Sequence, residues 1–265
     1  MNLFLREMKS NFKSLIIWSV SFAFLIVVGM IKFAGTSADP ALLKDVINQI
    51  PAFVRALFGF GDFDISSLIG FYGIVNFYVI VLAAVHACFV AAHTISKEEQ
   101  EKTTEFLIVK PVSRNKILFS KMMAVLVNVI VINAISSICS ILVVSAMDQT
   151  KNFTLDIILM MCITFVVQLI FLLIGTTIAS LSHKPKLAAA RGTMILVATY
   201  LLGSLIDMFP EISFLKGLTP FKYFNTVDVL NQTSPDPLMV VLTVVLASLL
   251  CILTFKGYEK RDMNI

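Results

Sequence analysis

Residues 67–95 read SLIGFYGIVNFYVIVLAAVHACFVAAHTI and contain no Asp, Glu, Lys or Arg. About 20 helical residues cross the hydrocarbon core of a bilayer, which is about 30 Å thick, so this stretch is long enough to span a membrane. The whole chain of 265 residues is 58% hydrophobic and only 14% charged, with a mean hydropathy of +0.90. Soluble domains usually carry about 45–50% apolar and about 25% charged residues. The sequence therefore excludes a soluble or disordered protein, lacks the alternation of a transmembrane barrel, and predicts an all-α polytopic membrane protein.

Five further apolar runs accompany this one, and we interpret residues 1–265 as a single transmembrane domain. The six predicted spans are residues 15–34, 67–95, 117–147, 157–181, 193–209 and 238–255. Residues 1–14 (MNLFLREMKSNFKS) mix basic and apolar side chains, which is typical of an amphipathic helix lying in the membrane interface. In the second span, Ala83, Ala87 and Ala91 are spaced four residues apart. Such a face of small side chains predicts that another helix approaches closely.

The basic residues are distributed unevenly over the predicted loops. Fifteen of the 21 Lys and Arg residues fall on the side that carries both termini, and six fall on the other side. Because cytoplasmic loops are enriched in Lys and Arg, the termini are predicted to be cytoplasmic in a bacterial cytoplasmic membrane. The net charge of +4 reflects this orientation and does not indicate nucleic-acid binding.

Motifs that would let the chain act as an enzyme by itself are missing from the sequence. It contains no GxxxxGK[ST] phosphate-binding loop, no HExxH and no GxSxG. The four cysteines lie in apolar runs without metal-ligand spacing, and no charged residue falls in the middle of a span. We therefore predict no catalytic residue, no metal site and no cofactor in this chain. His86 and His93, on one face of the second span, admit a metal or proton-relay interpretation, but hydrogen bonding between helices is the commoner role.

The segment between the second and third spans is the most distinctive part of the sequence. Residues 95–121 read ISKEEQEKTTEFLIVKPVSRNKILFSK. Four glutamates precede an apolar cluster, Pro111 then stops a helix predicted at about residues 97–110, and Ser113 can cap the next helix. An acidic amphipathic helix at the membrane surface favours a protein partner over docking on an anionic leaflet.

This segment resembles the permease subunits of ABC-2 type ABC transporters. Their pattern after the second span is acidic residues, Gly-Thr-Glu, leucines, Pro-Val-Ser-Arg, and a lysine that opens the third span. The matching residues here are Glu98, Glu99, Thr104, Glu105, Phe106, Leu107, Pro111, Val112, Ser113, Arg114 and Lys121. Lys102 and Thr103 precede Thr104 where the family has its glycine. The six spans and a proline-broken segment before the last span extend the resemblance over the whole chain.

The resemblance implies the type V exporter-like fold of this family and a complex with two copies of a separate ATPase, which would bind ATP and Mg. A second permease chain, either identical or a related paralogue, would complete the complex. The segment at residues 97–110 would be the coupling helix, with the ATPase contacts at Glu98, Glu99, Glu101, Thr104, Glu105, Phe106, Leu107, Pro111 and Arg114. The second and fifth spans would enclose the substrate path across the dimer, and the segment before the last span would cap it. By position, the path residues would be Asn76, Phe77, Phe89, Thr199, Leu202 and Asp207.

The function predicted from these features is ATP-driven export of amphipathic or hydrophobic cargo, such as membrane-active peptides, antibiotics or lipids. Two other interpretations stay open at the level of sequence. One is a membrane anchor or signalling subunit for a cytosolic partner, without transport. The other is an intramembrane enzyme, which the lack of paired acids or metal ligands in the spans disfavours.

Overall fold

A computed structural model of the chain describes residues 3–36, 47, 49–60, 63–104, 112–182, 184–231 and 233–261. These residues are mostly helical, and six of the helices are long and apolar enough to cross a membrane. The six are α1 (Leu3–Thr36), α3 (Leu68–Gln100), α4 (Arg114–Met147), α5 (Thr154–Leu181), α6 (Ala188–Met208) and α8 (Pro237–Lys260). They coincide with the six predicted spans, so the predicted polytopic helical fold is confirmed.

Shorter elements connect these helices. Two are α-helices, α2 (Ala52–Phe58) and α7 (Thr226–Leu230). Three are 3₁₀ segments, at Pro185–Leu187, Pro210–Leu218 and Pro220–Lys222. Each 3₁₀ segment begins with a proline, which fits the first turn of a helix because its missing N–H is not needed there.

The prediction of a separate interfacial helix over residues 1–14 is wrong for the residues that the structure describes. A single helix, α1, continues from Leu3 to Thr36 without a break. Glu7 and Asn11, one turn apart, are buried against the bundle, while Lys9 and Lys13 are exposed on the other side of the helix. The basic residues therefore lie on the outward face of one long helix, and the sequence gives it no reason to bend.

Helix α3 lies at the centre of the bundle and packs against α1, α4, α5 and α6, most extensively against α5. The small residues predicted to allow close approach are buried there, with Ala87 and Ala91 fully covered. A Cβ atom added at Gly175 of α5 would lie 2.5 Å from the backbone oxygen of Cys88. The two helices are thus too close at this point for any side chain larger than that of glycine.

The up-and-down order of the spans gives the bundle two different ends. At one end α1 and α4 begin and α3, α5 and α8 end; we call this the basic end, because most of the Lys and Arg residues lie there. The opposite end carries α2, α7 and the 3₁₀ segments at Pro210–Leu218 and Pro220–Lys222. The predicted coupling segment leaves the basic end, and the predicted cap lies at the opposite end.

Candidate functional site

Glu98, in the last turn of α3, is the centre of a buried charge network at the basic end. Its side chain is only 4% exposed, and that of Lys121 from α4 is fully buried. The Lys121 ammonium group forms an ion pair with Glu98 and donates a hydrogen bond to the Thr94 carbonyl at 2.6 Å. Arg6 of α1 lies 3.4 Å from the other Glu98 oxygen. Three helices therefore meet at one carboxylate, which needs these partners because an unpaired buried charge is very costly.

The neighbouring residue Glu99 ties α3 to the end of the last span. The Arg261 guanidinium lies 2.9 Å from the Glu99 carboxylate and donates a second hydrogen bond to the Ala179 carbonyl of α5 at 2.6 Å. Arg261 is itself fixed by Arg114 of α4, which donates to the Arg261 carbonyl at 2.8 Å. Charge-assisted hydrogen bonds of this kind are stronger than neutral ones. The chain segment after α8 is thus joined to three other spans.

Glu7 of α1 adds a further buried carboxylate beside this network. It is 1% exposed, and its nearest charged partner is Arg6, at 3.8 Å. Of the described residues, the charged side chains that are buried are Glu7, Glu98, Lys121 and Arg261, and all four lie at the basic end. The remaining length of the described bundle carries no buried charge, as the sequence predicted for the middle of the spans.

The start of the predicted coupling helix differs in the structure. Residues 97–100 form the last turn of α3, and the chain then turns at Glu101 and Lys102, where Lys102 has a φ of 56°. The prediction of a helix that begins at residue 97 is therefore wrong, because the second span continues through these residues. Four of the predicted contact residues, Glu105, Phe106, Leu107 and Pro111, lie outside the described residues.

The other predicted ATPase contacts occupy two kinds of position. Glu98 and Thr104 are buried, each 3% exposed, so neither offers a surface to a partner. Glu101 is exposed at the turn, and Arg114 is exposed at the start of α4. Gln100 donates to the Pro185 carbonyl at 3.0 Å, which fastens the turn to the segment between α5 and α6. The end of α3 is thus held on both sides where the chain leaves the bundle.

The predicted path residues do not line one common cavity within the chain. Asn76 is fully buried between α3 and α5, where its side-chain oxygen lies 3.5 Å from the Thr164 hydroxyl. Phe89 is 44% exposed and stacks on His93 with ring centroids 6.2 Å apart. Phe77 contacts the Tyr200 ring of α6 at 6.1 Å. Asn76 thus serves contacts inside the bundle, while Phe77 and Phe89 lie nearer the surface.

The path residues of α6 lie towards the opposite end. The Thr199 carbonyl accepts a hydrogen bond from Thr219 at 2.8 Å, and Asp207 forms an ion pair with Lys222. Leu202 is half-exposed. Helices α3 and α6 lie side by side within the chain. Their exposed residues can still face a second copy, but the buried side of each helix cannot.

Aromatic rings hold the 3₁₀ segments against the bundle at the opposite end. The Phe221 ring lies 5.0 Å from that of Phe171 and 5.8 Å from that of Tyr200. The Tyr200 hydroxyl donates to the Leu57 carbonyl of α2. The Tyr223 hydroxyl donates to the Gly217 carbonyl at 2.7 Å, and burial raises the pKa of this phenol above its ordinary value. The predicted cap is therefore a packed structure and not a free loop.

The histidines of α3 do not form a metal site. His86 is 1% exposed and packs edge-on against Trp18 of α1, with ring centroids 5.1 Å apart. His93 stacks on Phe89 near the surface. In the part of the chain that the structure describes, no group of three or more His, Cys, Asp and Glu residues could hold a metal ion.

Comparison with known proteins places the chain in a family. The family model of the ABC-2 family transporter protein matches residues 1–263. No curated protein matches the chain. Because the match covers almost the whole sequence, the chain belongs to the ABC-2 transporter family. It is a multi-pass membrane protein and a permease subunit, the component that carries the transmembrane path of such a transporter.

Sequence reasoning missed several residues of the charge network. Glu7, Asn11 and Arg261 were not among the candidates, although each contacts α3 or its immediate neighbours. Glu7 gave one signal, because it is the only acidic residue in a basic stretch, MNLFLREMKSNFK. Arg261 gave none, since its partner Glu99 lies 162 residues away in the sequence.

Proposed function

We propose that this chain is the permease half of an ATP-driven exporter with both termini in the cytoplasm of a bacterium. A separate ATPase, present in two copies, binds ATP and Mg and docks on the segment that leaves the basic end. Membership of the ABC-2 family supports an ATPase partner, because the chain has no phosphate-binding loop of its own. A second permease chain completes the path.

The observation that carries this proposal is the rigid attachment of the end of α3. Glu98 and Glu99 connect its last turn to α1, α4 and the end of α8 through buried or half-buried ion pairs. A force applied by the ATPase to residues 101–114 is therefore passed to several spans at once. The long helices α3 and α4 act as levers in this proposal, and the cavity between two copies opens outward.

The distribution of charge supports an amphipathic or hydrophobic cargo. In the described spans, buried charges occur only at the basic end, and the exposed surfaces of α6 and α8 are largely apolar. A hydrophilic ion would need charged or polar groups along its route. We therefore propose membrane-active peptides, antibiotics or lipids as cargo. Phe77, Phe89, Thr199, Leu202 and Asp207 are the proposed path residues that keep some exposure.

The proposed coupling is tested with the complex reconstituted in proteoliposomes. The double variant Glu105→Ala with Phe106→Ala is expected to retain ATP hydrolysis while export of a fluorescent amphipathic peptide falls more than tenfold. The matched control is Glu211→Ala with Phe214→Ala, which removes the same residue types from the opposite end, where Phe214 is 78% exposed. Equal export by both double variants and the wild type would refute the assignment of the coupling segment.

A negative result with the whole complex has a defined meaning. If no ATPase associates with the folded chain, the chain is an anchor or signalling subunit for another cytosolic partner. Filling the proposed path with large side chains at Thr199 and Leu202 would then leave its activity unchanged. For an exporter, the same substitutions are expected to block export.

A further inference from the structure

A second cavity at the basic end lies between the last turns of α5 and α8 and takes no part in the charge network around Glu98. Its volume is about 260 Å³. The residues that line it are Ser180, Leu181, Leu253, Lys256, Gly257, Lys260 and Arg261. Three of these seven are basic and none is acidic, so the cavity has a strongly positive lining.

The lysines of this cavity are available for a ligand. Lys256 and Lys260 are one turn apart on α8 and exposed, and neither pairs with an acidic side chain among the described residues. Arg261 is already neutralised by Glu99. The lining therefore keeps a charge of about +2 for an incoming anion, from the two lysines.

An unpartnered hydroxyl points to the same ligand chemistry. Ser180 is 1% exposed and lines the cavity, yet its hydroxyl has no hydrogen-bond partner among the described residues. A buried polar group without a partner is costly and therefore uncommon in native proteins. An anionic oxygen held between the lysines would accept a hydrogen bond from this hydroxyl.

The ends of α5 and α8 would by themselves repel an anion, because helix C-termini carry partial negative charge. Two arginines reduce this effect here. Arg261 donates to the Ala179 carbonyl at 2.6 Å, and Arg114 donates to the Glu259 and Arg261 carbonyls at 3.0 and 2.8 Å. With these carbonyls occupied, the lysines determine the potential of the cavity.

The apolar part of the cavity continues along the outer face of α8. Leu181 and Leu253 form its wall, 53% and 37% exposed. Leu249 and Val245, one and two turns before Leu253, are 52% and 57% exposed on the same helix. A chain lying along this strip would place a headgroup at Lys256 and Lys260. The site thus joins a cationic pocket to an apolar groove, as an anionic phospholipid requires.

We infer that this cavity binds one anionic phospholipid of the surrounding bilayer. Its phosphate lies between Lys256, Lys260 and the Ser180 hydroxyl, and one acyl chain follows Leu253 and Leu249 along α8. Because Arg261 lines the same cavity and holds Glu99, the bound lipid also adjoins the attachment of α3. The inference goes beyond the proposed export function and does not depend on an ATPase or a cargo.

The test is a lipid titration of the purified full-length chain followed by native mass spectrometry. The probes are palmitoyl-oleoyl phosphatidylglycerol and, as the neutral comparison, palmitoyl-oleoyl phosphatidylcholine. The wild type is expected to retain one phosphatidylglycerol in preference to phosphatidylcholine. The double variant Lys256→Gln with Lys260→Gln is expected to bind phosphatidylglycerol about 30-fold more weakly, since each lysine near an anionic surface contributes about fivefold.

The matched control is Lys9→Gln with Lys13→Gln, which removes two exposed lysines from α1 at the same end. It is expected to bind phosphatidylglycerol as the wild type does. Equal losses in both double variants would show a general charge effect and overturn the site. Undiminished binding by the Lys256 and Lys260 variant would overturn it as well, including the case in which that variant loses a protein partner instead.

A second substitution protects the test against misfolding. Ser180→Ala removes one buried oxygen and is expected to keep the elution volume of the wild type while weakening phosphatidylglycerol binding several-fold. Ser248→Ala, on the exposed side of α8, is its control. If Ser180→Ala binds phosphatidylglycerol as tightly as Ser248→Ala does, the hydroxyl does not contact the lipid and the proposed site is wrong. Because the assay contains neither ATP nor ATPase, its failure is separate from any failure of the export proposal.

Discussion

The two ends of the bundle are held together by different kinds of interaction. At the basic end, Lys121 is fully buried with Glu98, and Arg261 is 5% exposed beside Glu99. At the opposite end, the ion pair between Lys222 and Asp207 is exposed, with side-chain exposures of 26% and 36%, and aromatic rings supply most of the contacts. Buried charges allow few alternative arrangements, whereas ring contacts tolerate sliding.

This difference fits the two roles proposed for the ends. The end that receives force from an ATPase has to transmit it without yielding, and buried ion pairs between several helices provide that stiffness. The end that releases cargo has to open and close repeatedly. We expect the basic end to move as one unit during transport and the opposite end to rearrange.

The largest expected effect on this comparison is that of Lys121→Met. The substitution leaves the Glu98 carboxylate buried with only the more distant Arg6, and the loss of one partner of a buried pair costs about 3–5 kcal/mol. Thermal unfolding of the detergent-purified chain measures it. Lys222→Met breaks the exposed pair at the opposite end and is expected to cost about 0–1 kcal/mol. Similar shifts for both variants would remove the contrast between the two ends.

The next effect in size is expected for Arg261→Gln. This variant loses the hydrogen bonds of the guanidinium to Glu99 and to the Ala179 carbonyl, and hydrogen bonds to charged groups contribute about 1.5–3 kcal/mol each. Proteolysis of the end of α8 should also become faster, since its attachment is weakened. The control is Arg191→Gln, because Arg191 is exposed and donates only to the Ser182 hydroxyl among the printed contacts of the described chain. A stability of Arg261→Gln equal to that of the control would contradict the expected role of Arg261.

A smaller effect is expected from Phe221→Leu at the opposite end. The variant keeps an apolar side chain but loses two ring contacts, each of which contributes about 0.5–1.5 kcal/mol. Hydrogen exchange of residues 210–223 should increase while that of the basic end stays the same. Phe214→Leu is the matched control, since Phe214 is 78% exposed. Faster exchange at both ends would mean that the cap and the charge network form one cooperative unit.

The smallest effect is expected from Asp207→Asn. Exposed ion pairs contribute about 0–1 kcal/mol, and the Debye length falls to about 3 Å at 1 M salt. The small difference in unfolding temperature from the wild type should therefore disappear in 1 M salt. A large difference that persists in high salt would show that this pair is as important as the buried pairs of the basic end.

The number and position of the spans could be predicted from sequence because hydropathy over about 20 residues is a local property. The charge network could not be predicted, since Glu98 and Lys121 are 23 residues apart and Glu99 and Arg261 are 162 apart. The same glutamates read in isolation as surface groups for a partner. The continuity of α1 was also missed, because a basic stretch before a span has the same composition whether it lies in the interface or extends the helix.

The central claim is that this permease works with an ATPase bound at its basic end. Its most direct test is to purify the tagged full-length chain from its native host in mild detergent and to identify the co-purifying proteins by mass. We predict one ATPase with a phosphate-binding loop, in stoichiometric amount, retained by Glu211→Ala with Phe214→Ala and lost from Glu105→Ala with Phe106→Ala. A folded wild-type chain that carries no such ATPase would contradict the account.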